Sequence, residues 1–165
     1  MALACAGEPV SLDERDLIGK IVRRRRGGFC YELNGAFALL LEALGAQVRR
    51  VGARVYGEAG LGPPLDHLAL IVRPGDGSGP WLADVGFGSH SDYPLRLDAR
   101  EDQDDPAGRF RLADAGAGDI DVLRTAGPST GSRRASGRWR TASRRAGGSR
   151  PRRCRTSPAA RSAPG

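Results

Sequence analysis

The stretch Arg25–Ala36, RRGGFCYELNGA, sets a cysteine directly after two glycines and an aromatic, at the point where a helical pattern begins. Beyond it, Leu33, Phe37, Leu40, Leu41 and Leu44 recur at spacings of three and four and the run ends at Gly45. That pattern predicts a helix with one apolar face and a glycine stop. Cys30 falls in its first turn, where unpaired N–H groups and the helix dipole stabilise a thiolate and lower the thiol pKa. A free cysteine is more commonly a small buried packing residue. Assigning it as a nucleophile therefore requires a base and an orienting acid elsewhere in the chain.

Upstream, Ser11-Leu-Asp-Glu14 has the pattern of a capping box and predicts a helix to about Arg25, with Leu12, Leu17, Ile18, Ile21 and Val22 as its buried stripe. Arg23–Arg26 then crowd its last turn, where cations suit the dipole, and Gly27 and Gly28 break it. Downstream the texture becomes strand-like over 47–56, 67–73 and 81–87, with weaker strands near 109–113 and 119–124 and turn-rich segments between. Two helices followed by a run of strands read as an α+β fold, with the helix bearing Cys30 packed on an antiparallel sheet or partial barrel.

A thiol nucleophile works best beside an imidazole that takes its proton, and the imidazole needs an acid or amide to fix its tautomer. The chain has two histidines. His67 opens the strand HLALIV, so its side chain can stand at the sheet's rim. Asp84 ends the neighbouring strand among Leu82, Ala83 and Val85, an apolar setting in which a carboxylate demands a partner. A histidine on the adjacent strand would supply it. The plainer readings are an exposed turn histidine and an aspartate capping the glycines that follow it. His90, in the GSHSDYP loop, is the rival base, and a zinc site of Cys30, His67, Asp84 and His90 has no recognised spacing. No metal is expected.

Charge divides the chain. Residues 1–126 carry 15 basic and all 19 acidic side chains, whereas 127–165 carry 11 arginines, no acid and no Leu, Ile, Val, Met, Phe or Tyr. This predicts a partial helical domain over 1–45, a β-rich barrel-like domain over 46–126 and a disordered arginine-rich tail over 127–165. The tail reads as a GC-rich gene translated out of frame. The alternative is an arginine-rich arm binding nucleic acid or an anionic membrane by charge neutralisation. Cys5, Cys30 and Cys154 share no metal-type spacing, and the first ten residues fit no signal peptide, so a reducing cytoplasm is the expected setting. No stretch approaches the length of a membrane span.

RRRRGGFCYELN, then DHLALIV, then WLADVGFG followed by PLRL resembles the arylamine N-acetyltransferases, in the same order and with comparable gaps, over about residues 8–125. The resemblance implies a Cys-His-Asp triad of Cys30, His67 and Asp84, on a helical domain joined to a β-barrel. It implies acetyl transfer from acetyl-CoA as cosubstrate, through an acetyl-cysteine, to an arylamine, arylhydrazine or arylhydroxylamine in ping-pong order. Val85, Gly86, Phe87 and Gly88 correspond to the loop beside the acyl and coenzyme site. Phe87 would wall an aromatic-amine pocket or pack in the core, Phe37 is a second candidate with the same ambiguity, and Arg26 is read as structural. Family members have a longer helical segment before the region near Gly7 and a third domain that lids the site, so the expectation is a truncated member with impaired activity. An inactive remnant or misread gene product, and an amide synthase acting on larger acyl donors, are the alternatives.

Overall fold

Asp13, with extended backbone, caps the first helix: its carboxylate accepts the Arg15 N–H at 2.9 Å. This is a correction to the capping-box reading, because Ser11 instead donates to the Asp16 carboxylate at 2.6 Å. The computed structural model describes residues 10–125 and the backbone of strand 134–139. The helix is regular only over Glu14–Leu17 (α1) and widens into a π-type helix over Ile18–Arg23, closed by Arg24 N–H on the Gly19 carbonyl at 3.0 Å. Widening the turn changes the angular step between side chains, so the stripe expected for a 3.6-residue period does not stay on one face. Leu17 is buried, but Leu12 and Val22 are exposed.

The second helix, α2 (Cys30–Ala43), starts where expected. Its buried face is Asn34, Gly35 and Ala38 with Leu41 and Phe37 at its margin, while Leu40 and Leu44 face outward at 55% and 74% exposure. The small Ala38 brings the helix close to the sheet, Gly35 lies against Leu17 of α1, and the amide of Asn34 is bonded to the Leu68 carbonyl, which turns the larger leucines outward. Gly45 adopts φ +88° and reverses the chain, with Ala46 N–H closing on the Leu41 carbonyl at 3.0 Å.

The first sheet has the order β1 (Gln47–Ala53), β4 (His67–Arg73), β5 (Trp81–Ala83), β6 (Leu95–Arg96), all antiparallel. A two-stranded hairpin of β2 (Tyr56–Gly57) and β3 (Gly60–Leu61) lies in the segment read as a turn. The second sheet joins β7 (Asp102–Asp105), β8 (Gly108–Gly116), β9 (Asp119–Thr125) and β10 (Arg134–Trp139), again antiparallel. β10 falls in the stretch expected to lack order, whose composition gave no sign of a strand; the rest of 127–165 lies outside the described residues.

β4 is buried on both faces, which is why it reads as an unbroken apolar run. On one side Ala69 and Ile71 join Val51, Ala53, Leu82, Leu95, Phe110, Leu112 and Val122 in the core between the two sheets. On the other, Leu70 and Val72 pack with Ala38, Phe37 and Leu41 of α2. The result is three layers, helix on sheet on sheet, with the ends of α2, β4 and β5 meeting at one rim.

Candidate active site

Cys30 is the first residue of α2, His67 the first of β4, and Asp84 the residue after β5 ends, so three element ends deliver the three side chains to one place. His67 Nε2 and Asp84 Oδ2 are 2.7 Å apart and both side chains are buried. That bond occupies Nε2, and the imidazole also acts on Cys30, favouring its thiolate. The thiol Sγ also lies 4.0 Å from the Asp66 carbonyl.

Electrostatics follow the geometry. Burial pushes the Cys30 thiol up, but the hydrogen bond and positive charge of His67, with backbone hydrogen bonds from Leu68 and Tyr31, outweigh it and leave the pKa lowered. Burial pushes His67 down, yet Asp84 and Cys30 together raise it to about 9. The Asp84 carboxyl, opposed by burial, is held below its ordinary value by His67, Asn34 and the Gly86 N–H. All three shifts favour a thiolate–imidazolium pair braced by a carboxylate, the charge state that attacks an acyl carbon.

Residues that the sequence reading left without a role hold this arrangement. Asn34, fully buried, donates from Nδ2 to the Leu68 carbonyl at 2.7 Å and to Asp84 Oδ1 at 2.8 Å, and accepts the Val85 N–H at 3.0 Å. It ties α2, β4 and the loop after β5 together. Its signal in the sequence was an amide one helical turn beyond Cys30 on an otherwise apolar face, a group that needs partners once buried. Glu32, buried to 2% exposure, accepts the Phe29 N–H at 3.2 Å at the start of α2 and takes the Lys20 ammonium at 2.8 and 2.9 Å. The chain's single lysine thus locks the π-type helix to the helix that carries Cys30. Tyr31 donates its hydroxyl to the Leu65 carbonyl at 2.6 Å, fixing the segment that leads into His67.

The glycines have separate tasks. A Cβ on Gly86 would stand 2.7 Å from Cys30 Cα and 2.8 Å from Asn34 Nδ2, so only glycine lets the loop lie against Cys30. Asp84 Oδ1 accepts the Gly86 N–H at 2.8 Å, which locks that approach. Phe87 sets its ring edge-on to His67, centroids 5.2 Å apart, and packs against the inter-sheet core. Val85 is exposed beside it. Phe37, by contrast, sits in the layer between α2 and the first sheet, away from this loop.

His90 is buried on the far side of Phe87, stacked on Phe110 with centroids 5.5 Å apart and 2.8 Å from Ser91 Oγ through Nδ1. Burial lowers its pKa, which keeps it neutral. Among the described residues no group of three or more His, Cys, Asp or Glu side chains could hold a metal ion.

A profile of the N-acetyltransferase family matches residues 3–130. The chain is 42% identical over 111 residues to an arylamine N-acetyltransferase / N-hydroxyarylamine O-acetyltransferase of Salmonella typhimurium, covering 66% of this chain and 38% of that protein. An arylamine N-acetyltransferase of Mycobacterium bovis is 41% identical over 114 residues, 66% of this chain and 40% of its own. Among solved structures, the Mycobacterium marinum arylamine N-acetyltransferase in complex with CoA superposes with TM-score 0.73 at 34% identity, over 84% of this chain and 52% of that one. The chain thus spans about two-fifths of the length of these two relatives.

Proposed function

Because the chain belongs to the arylamine N-acetyltransferase family, we propose that it transfers an acetyl group from acetyl-CoA to an aromatic amine or hydrazine, through an acetyl-thioester on Cys30. The observation that carries this reading is the convergence of three element ends that sets Cys30 beside a buried His67 bonded to Asp84 at 2.7 Å. In the first half-reaction the Cys30 thiolate attacks the thioester carbon, the bond to the coenzyme sulfur breaks, and the His67 imidazolium protonates the departing thiolate. In the second, the amine attacks acetyl-Cys30, neutral His67 takes a proton from the amine nitrogen, and the Cys30 thiolate leaves. The cycle closes with the thiolate–imidazolium pair restored.

A thioester is an activated acyl donor, so the pair needs no strong base. Asp84 keeps the imidazole in one orientation through both proton transfers, and Phe87 is available to face an aromatic acceptor beside the acyl group. A thiol that must remain reduced suits a cytoplasmic setting. No helix among the described residues is long and apolar enough to cross a membrane.

The test separates the two halves. Purified protein is mixed with acetyl-CoA and its mass measured, with Cys30→Ala as control, and an arylamine or arylhydrazine is then added. The expected result is one acetyl group on Cys30, removed by the acceptor as the acetylated amine. A folded protein that gains no acetyl group refutes the reading.

A further inference from the structure

His90 is buried to 7% exposure, and the acyl-transfer cycle gives it no proton to carry. The fold nevertheless places it two rings from the reacting imidazole. Phe87 stands across His67, centroids 5.2 Å apart at 90°, and across His90, centroids 6.0 Å apart at 81°. His90 in turn lies nearly flat on Phe110, 5.5 Å away at 29°, and the Arg124 guanidinium covers that last ring at 5.8 Å. Phe110 is fully buried in the core between the sheets. The four rings form one column from the site into that core, in the edge-to-face and stacked contacts that aromatic rings favour.

The column is also held from the loop. His90 Nδ1 lies 2.8 Å from Ser91 Oγ, and the Asp105 carboxylate of β7 accepts the Asp92 N–H at 3.0 Å and the Tyr93 N–H at 2.8 Å. A stacked ring without a polar atom is free to turn in its own plane, and the contact with Ser91 limits that freedom. Charge suits His90 to its place as well. Asp84 and Asp105 favour its protonation and His67 opposes it, while burial outweighs the two carboxylates and keeps it neutral. It therefore stands near the His67 imidazolium without repelling it.

We propose that His90 is a positioning residue for the acyl transfer, holding Phe87 against His67 so that the imidazole and its Asp84 partner stay shielded from water. This rests on the thiolate–imidazolium reading above and adds to it what keeps that pair dry. The interaction between His67 and Asp84 is strongest where solvent is excluded. With the ring behind Phe87 removed, Phe87 settles back, water reaches the imidazole, and the hold of Asp84 on its proton weakens. Hydration also relieves the burial that opposes that proton. In the intact site, however, the partners outweigh burial and raise His67 to about 9, so screening them is the larger loss. The titration of His67 then moves down toward its ordinary 6.5.

The chain has two histidines, so every His90 variant leaves His67 as the single imidazole to follow by NMR. The titration is measured in the full chain and in His90→Ala, His90→Leu and His90→Phe, with circular dichroism and the thermal midpoint to verify folding. His90→Leu fills the space without a flat ring, and serves where the alanine cavity unfolds the core. The expected result in His90→Ala and His90→Leu is a His67 midpoint lowered by about one unit, a tenfold change in its proton affinity. His90→Phe, which restores the ring, should keep most of the wild-type value. An unmoved midpoint in the folded alanine or leucine variant overturns the role, whatever the thermal midpoint does, because His90 is then core packing alone. An equal shift in His90→Phe overturns it too, since the loss then follows the polar contact with Ser91 and not the ring. A wild-type chain with no imidazole titrating at about 9 overturns the thiolate–imidazolium reading itself, and this role with it.

Discussion

Replacing Gly86 with alanine should blunt the reactivity of Cys30 while leaving Cys30, His67 and Asp84 themselves unsubstituted. The added methyl would lie 2.7 Å from Cys30 Cα, 3.0 Å from Cys30 Cβ and 2.8 Å from Asn34 Nδ2. Carbon atoms rest at about 3.5–4.0 Å, so loop and helix must part by on the order of 1 Å. Neither side yields freely: Gly86 N–H is held by Asp84 and Val85 N–H by Asn34, while Cys30 is fixed in the first turn of α2. The strain should cost about 1–3 kcal/mol of stability, and a displacement of that size at reacting atoms costs about a hundredfold in rate. Alkylation of Cys30 by iodoacetamide at neutral pH, followed by mass, reads the thiolate directly and needs no acyl donor. Gly45→Ala is the comparison: it also strains the backbone, at φ +88°, but its Cβ would meet nothing within 4 Å. Gly45→Ala should lower the thermal midpoint and leave alkylation unchanged. If Gly86→Ala is alkylated at the wild-type rate, the argument that this glycine exists to seat the loop on Cys30 is wrong.

Asp84→Asn should lower the His67 titration, followed by NMR of the imidazole, from about 9 toward its ordinary value of 6.5. Because the folded pKa lies above the unfolded one, the stability due to protonated His67 is complete below pH 6.5 and lost as the pH rises through about 9. The penalty of Asp84→Asn should therefore be larger at pH 6 than at pH 10, and an unmoved imidazole titration would contradict the assigned pairing. Lys20→Met leaves the Glu32 carboxylate buried without its cation and should cost about 3 kcal/mol in denaturant unfolding, toward the low end because the Lys20 side chain keeps 19% exposure. A loss below about 1 kcal/mol would mean that the link between the two helices is not an energetic one.

What the sequence made legible was the chemistry at element ends. Cys30 at a helix start, His67 at a strand start and Asp84 stranded among apolar neighbours each signalled through a local conflict between residue type and surroundings. The supporting residues were harder to see because their roles are long-range. Asn34 meets Asp84 fifty positions away, and nothing in the spacing of either announces the other. The first helix was misread for a different reason: a pattern analysis assumes a fixed period, and the widening over Ile18–Arg23 breaks that assumption and turns Val22 outward. In α2 the apolar positions were found correctly, but size decided which of them faced the sheet, with Ala38 buried and Leu44 exposed. β10 carried little apolar signal, Ala135 and Trp139 alone, and its backbone pairing with β9 is what defines it.

His67 is the first residue of the strand most deeply enclosed by the fold, paired along its length to β1 and through its middle to β5. The imidazole therefore does not belong to a flexible lip that can melt and re-form while the rest of the molecule stands. Drawing β4 away would disrupt both cores at once. The position of the imidazole thus depends on both of them, and changes that stabilise either core also hold His67 in place.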